Sequence, residues 1–147
     1  MDVAAPIERC FDLARDVDLH VRSMTISGES AISGVTSGRI GPGQEVTWEG
    51  RHFGIRQRFT SRITAFDPPR HFRDSMVRGA FRAFVHDHFF EERPDGKTRM
   101  RDVVVFRSPL GPLGAIADRL ILTAYLERLL RGRQESIRAE AEMSDAG

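Results

Sequence analysis

Phe81-Arg82-Ala83-Phe84-Val85-His86-Asp87-His88-Phe89-Phe90-Glu91-Glu92 and, after a short break, Thr98-Arg99-Met100-Arg101-Asp102-Val103-Val104-Val105-Phe106 decide the architecture of this chain. In both runs aromatic and β-branched residues alternate with polar ones, the period of half-buried strands. Pro94-Asp95-Gly96 between them reads as a hairpin connection. Side chains two apart on a strand share a face. Phe84, His86, His88 and Phe90 therefore lie together, and Asp102, Val104 and Phe106 lie together on the partner strand.

The same period extends upstream to Gln44. Val46, Trp48, Gly50 and His52 share one face, as do Ile55, Gln57, Phe59, Ser61, Ile63 and Ala65 on the next strand. Asp67-Pro68-Pro69 ends that strand, because proline donates nothing to a ladder and restricts the residue before it. Phe72, Asp74 and Met76 share a face of a further strand that turns at Gly79. Ser33 to Gly43, rich in glycine, reads as a loop. It lacks the Gly-Lys-Ser/Thr ending of a phosphate-binding loop.

Toward the amino terminus, Pro6 suits a first helical turn, and Ile7, Cys10, Phe11 and Ala14 follow at helical spacing. Asp16 is placed to cap a second short helix through Met24. Downstream, Ser108-Pro109-Leu110-Gly111-Pro112-Leu113-Gly114 breaks the strands, and a helical pattern runs from about 113 to 142. Its first half is apolar nearly all round, which predicts a largely buried helix. Two short helices, five or more meandering strands and one long helix make an α+β layout in one domain spanning 1–147.

Lysine and arginine number 22 and acids 21, so total charge gives no electrostatic case for a nucleic-acid binder. The distribution is uneven: residues 51–110 carry twelve arginines and one lysine against seven acids, with Arg56, Arg58 and Arg62 on the strand face opposite Phe59. An RNA-recognition sheet would instead expose its aromatics. Cys10 is the one cysteine, which excludes an intrachain disulfide and a multi-cysteine zinc site. No apolar run reaches the ~18 residues of a membrane span, and no signal peptide is evident, so a cytoplasmic protein is expected.

The chain resembles the START-like (SRPBCC) superfamily, which includes polyketide cyclase/dehydrase-like proteins. The resemblance is carried by Ala5-Pro6-Ile7-Glu8 leading into Phe11-Asp12-Leu13, Val46-Thr47-Trp48, Phe66-Asp67-Pro68-Pro69 with Phe72, and Gly79-Ala80-Phe81 through His86-Asp87-His88. Met100-Arg101-Asp102 and the 108–114 segment complete it. It implies a helix-grip fold: a curved antiparallel sheet around a long carboxy-terminal helix, with a cavity between them for a lipid, polyketide, quinone or similar molecule. Members normally start with a full edge strand, and only a few residues precede Pro6 here. That strand is then very short, missing or supplied by a partner, and an unpaired edge favours a homodimer.

The expected cavity wall consists of Trp48, His52, Phe59, Phe72, Phe84, His86, His88, Phe90, Asp102 and Phe106. Aromatic walls with few polar groups are how small-molecule sites are built. Binding without chemistry is the leading expectation, with structural or ligand-orienting roles for the histidines. The alternative is a cyclase or dehydratase using His86 or His88 with Asp102 as acid–base groups, since histidine titrates near neutral pH. A His-x-His pair on a strand binds zinc if a third ligand reaches it, with His52 or Asp102 as candidates. Nothing in the spacing requires a metal, and the sequence calls for neither metal nor cofactor.

Overall fold

The hairpin forms as its alternation requires: His86 pairs opposite Val104 and His88 opposite Asp102. The computed structural model describes residues 1–108 and 115–143. In chain order the elements are β1 (Asp2–Val3), α1 (Ile7–Ala14), α2 (Val17–Ser23), β2 (Ser30–Gly34), β3 (Glu45–His52), β4 (Ile55–Asp67), β5 (His71–Arg78), β6 (Ala83–Glu92), β7 (Thr98–Arg107) and α3 (Ala115–Met143). The strands build one curved antiparallel sheet in the order β1-β7-β6-β5-β4-β3-β2, and α3 lies across it, giving the helix-grip α+β fold.

One end of the grip is packed shut. Ile7, Cys10, Phe11 and Ala14 form the buried stripe of α1. The Phe11 ring meets Phe66, Phe72 and Phe90 edge to face, each with centroids 5.4 Å away. Burying such a ring contributes about 1.5–3 kcal/mol. Ile137 and Ala141 of α3 join this cluster. Arg9 ties the helices together, donating to the Glu140 and Ala141 carbonyls at the end of α3 (2.9 and 3.1 Å). A cation there also meets the negative end of the helix dipole. Asp16 caps α2 as expected, its carboxylate accepting from the Leu19 amide at 3.0 Å.

One open expectation is resolved and three change. The amino-terminal edge strand takes the very short of the three expected forms, two residues pairing with Thr98 and Arg99. The supposed loop from Ser33 begins as the end of β2, where Gly34 is required. Its φ is +75°, and a Cβ there would sit 2.2 Å from the Glu45 carbonyl oxygen. Strand β6 starts at Ala83, leaving Phe81 in the preceding turn against Phe84 and Phe106.

The largest change concerns α3, whose apolar first half is not buried: Ile116, Leu120 and Ile121 are 80%, 69% and 58% exposed. The helix packs against α1, α2 and β1, so its carboxy-terminal half docks and its first half stands off the sheet. Residues 113 and 114, expected to open this helix, and the rest of the 109–114 break lie outside the described residues. The arginines Arg56, Arg58 and Arg62 do point outward, and β3 answers them: Arg56 and Arg58 pair with Glu49, and Arg62 with Glu45.

Candidate ligand cavity and its buried histidine pair

Because α3 stands off the sheet, a cavity of about 480 Å³ lies beneath it. Of the expected wall, Trp48, His52, Phe59, Phe72, Phe84 and His86 line it. Leu122, Tyr125, Leu126, Leu129 and Leu130 of α3 form the facing side. His88, Phe90 and Asp102 lie behind this wall, around a far smaller space of about 10 Å³. Phe106 turns to Phe81, with centroids 5.5 Å apart, and is not among the lining residues.

Two clusters of polar groups reach the cavity wall. On the β3 side, the His20 ring stacks on Trp48 (centroids 3.9 Å, planes 25° apart) with its Nε2 3.4 Å from Glu29. Ser27 donates its hydroxyl to the other Glu29 oxygen at 2.9 Å. Gly50 makes room for this carboxylate, because a Cβ there would lie 2.6 Å from the Glu29 Cγ. Burial pushes His20 below its usual pKa, which keeps the imidazole neutral near pH 7. Burial would raise Glu29, but its hydrogen bonds with His20 and Ser27, together with nearby charge, outweigh that and hold it low. Nearby, His52 Nδ1 and the Tyr125 hydroxyl share a 2.7 Å hydrogen bond.

The second cluster sits where β5, β6 and β7 adjoin. Asp74 pairs across the ladder with His86, and His88 with Asp102. Alternation therefore puts two carboxylates and two imidazoles on one inward face. His86 Nε2 is 3.1 Å from Asp102 Oδ1, and His88 Nδ1 is 3.0 Å from the same oxygen. His88 Nε2 is 2.7 Å from Asp74 Oδ2. Gln134 of α3 donates to the second Asp102 oxygen at 2.6 Å.

These pairings polarise the two histidines in opposite senses. Burial would lower His88, yet hydrogen bonds to Asp102 and Asp74 prevail and push it up. His86 is pushed down, first by burial and then by the charge of His88. Both carboxylates resist their burial: Asp102 is held well below the usual range, chiefly by hydrogen bonds from His86 and His88, and Asp74 is lowered by its bond from His88 together with nearby charge, Arg133 included. A neutral imidazole thus faces the cavity, backed by an ionised carboxylate.

Neither cluster was named in full from the sequence. Asp74 was legible, since it shares the Phe72–Met76 face and that face adjoins His86. Arg133, which also lines the cavity, follows Leu122, Leu126 and Leu129 at helical spacing. His20 and Glu29 carried no such signal, because only the fold brings α2 and the turn before β2 against Trp48.

Fold and cavity define a helix-grip protein of the hydrophobic-ligand-binding type. The profile of the family described as polyketide cyclase / dehydrase and lipid transport matches residues 1–142, and the chain belongs to that family. Solved structures with the same fold include the Zhui aromatase/cyclase from Streptomyces sp. R1128 (TM-score 0.72, 20% identity, covering 97% of this chain and 90% of that one). The protein TTHA0849 from Thermus thermophilus gives a TM-score of 0.71 at 18% identity over 96% of this chain and 95% of that one. Ginseng major latex-like protein 151 from Panax ginseng gives 0.64 at 16% identity over 96% and 93%. No curated protein matches the chain significantly in sequence.

Proposed function

We propose that the protein binds one small, mostly apolar organic molecule, such as a lipid, polyketide or quinone, between the sheet and α3. The observation that carries this is the cavity itself: about 480 Å³ walled mainly by apolar side chains, with two clusters of hydrogen-bonded polar groups reaching its wall. Sites of this size and make-up suit small organic ligands. The paired polar edges, His52 with Tyr125 and His20 with Glu29, fit a ligand carrying a few oxygens on an apolar frame. The lone buried thiol of Cys10 fits a reducing cytoplasmic setting.

The test is native mass spectrometry of protein purified from its own host, followed by organic extraction. A retained mass that partitions into the organic phase is expected. Protein that carries nothing and takes up no apolar probe would refute the proposal.

A second reading, cyclase- or dehydratase-like proton transfer, is favoured by one feature. His86 is a neutral imidazole on the cavity wall with an ionised Asp102 at 3.1 Å, the pairing a general base requires. On this reading His86→Gln lowers turnover of a substrate by about 10²–10⁴-fold while binding persists. Unchanged turnover would eliminate it.

A further inference from the structure

Asp102 accepts hydrogen bonds from one nitrogen of each histidine, His86 Nε2 and His88 Nδ1. The opposite nitrogens, His86 Nδ1 and His88 Nε2, then turn toward Asp74, at 3.9 and 2.7 Å from its Oδ2. Among the described residues, Asp74, His86 and His88 are the group whose ligand atoms all fall within 4.8 Å of one another. Both histidines are buried, at 5% and 2% exposure.

We infer that Asp74 Oδ2, His86 Nδ1 and His88 Nε2 form a site for one divalent first-row transition-metal ion at the wall of the cavity. Three observations carry it. First, two imidazoles and one carboxylate on adjoining strands are the donor set of open, three-ligand metal sites. Second, Asp102 holds the far nitrogen of both rings, the outer-shell carboxylate that fixes the tautomer of metal-bound histidine. Gln134 in turn anchors that carboxylate. Third, Asp74 and His86 line the cavity, so a bound ion would keep a coordination position facing it.

Donor atoms around a tetrahedral ion lie ~3.3 Å apart, given metal–ligand bonds of about 2.0–2.2 Å. The separations of 2.7 and 3.9 Å straddle that value, so modest rotations of the rings seat the ion. The ion takes the place of the proton between His88 and Asp74, and the two buried carboxylates then balance its double charge. The free position suits a carbonyl or phenolate oxygen of the cavity's ligand. The inference rests on the cavity reading for that last point only, since metal affinity needs no organic ligand.

The test uses the full chain without a histidine tag, titrated with Co(II) and followed by its visible absorption. Saturable binding of one equivalent is expected, with the intense bands of four- or five-coordination. Asp74→Ala and His86→Ala should each weaken it at least about 100-fold, and Asp102→Asn by about 10–100-fold. His71→Gln, on the outer face, should leave it unchanged. X-ray absorption of Zn(II)-loaded wild-type protein keeps the test sound if a variant fails to fold: a shell with two imidazoles supports the site. Absence of saturable binding, binding indifferent to Asp74 and His86, or a shell without imidazole would each overturn it. A neutral apolar dye, titrated into the same samples, reports the cavity separately. Metal without dye would retire the ligand reading alone, and dye without metal would retire this one alone.

Discussion

The two ends of the grip use the same kind of side chain for opposite purposes. At the closed end, α1 drives Phe11 between Phe66, Phe72 and Phe90, and Ile137 and Ala141 of α3 seal the contact. At the open end, Phe53, Ile55, Leu120 and Ile121 remain more than half exposed around the stretch of α3 that stands off the sheet. Apolar surface at the first end stabilises the fold. At the second, Phe53 and Ile121 line the cavity, and the cavity exists because the helix is not drawn down there. Core packing and cavity wall are thereby assigned to different ends of one helix.

Substitutions at the two ends should separate accordingly. The largest effect is expected from Phe11→Ala, a loss of about 3–5 kcal/mol in urea unfolding, because a ring with three aromatic neighbours leaves a cavity that cannot close. A loss below about 1 kcal/mol would mean that the closed end is not the keystone.

An intermediate effect is expected on the β3 side of the cavity. Glu29→Gln should cost about 1.5–3 kcal/mol at pH 7, the worth of a hydrogen bond to a charged group. Glu29 is held below its usual 4.5, so its ionised form favours the folded state. That contribution is complete above pH 4.5 and disappears as pH falls through the lower folded value. The gap between wild type and Glu29→Gln should therefore narrow in acid below pH 4.5. A gap independent of pH would show that the charge plays no part.

The smallest effect is expected at the open end. Ile121→Ser should change unfolding free energy by less than about 0.5 kcal/mol, as surface substitutions usually do. A cost like that at Phe11 would mean that the first half of α3 is packed after all, and the contrast would collapse.

Strands β3 to β7 and the two short helices were legible because alternation and capping are local signals, whereas the helix-grip arrangement was implied by the resemblance and β2 was missed. Trp48, Phe59, Phe84 and His86 followed from parity alone. The position of α3 was not legible. A helix apolar on every side reads as buried, and nothing local distinguishes a helix pressed onto a sheet from one spanning a hollow. The same gap explains Phe106, whose parity is right but whose ring is taken by Phe81 in the turn. It also explains His88 and Asp102, which share the inward face yet spend their polar atoms on each other. Parity specifies the face of a residue, while the packing of its neighbours decides whether it reaches the cavity.

The central claim is that the space under α3 receives an apolar guest. Trp48 is the chain's single tryptophan and lines that space, which makes its emission a built-in reporter. Titration with N-phenyl-1-naphthylamine should give saturable, one-to-one energy transfer from Trp48. A Leu122→Phe/Leu126→Phe double variant, which fills the cavity from the helix side, should bind at least about tenfold more weakly, roughly 1.4 kcal/mol. Probe binding that leaves Trp48 emission untouched, or that the double variant does not weaken, would contradict the account.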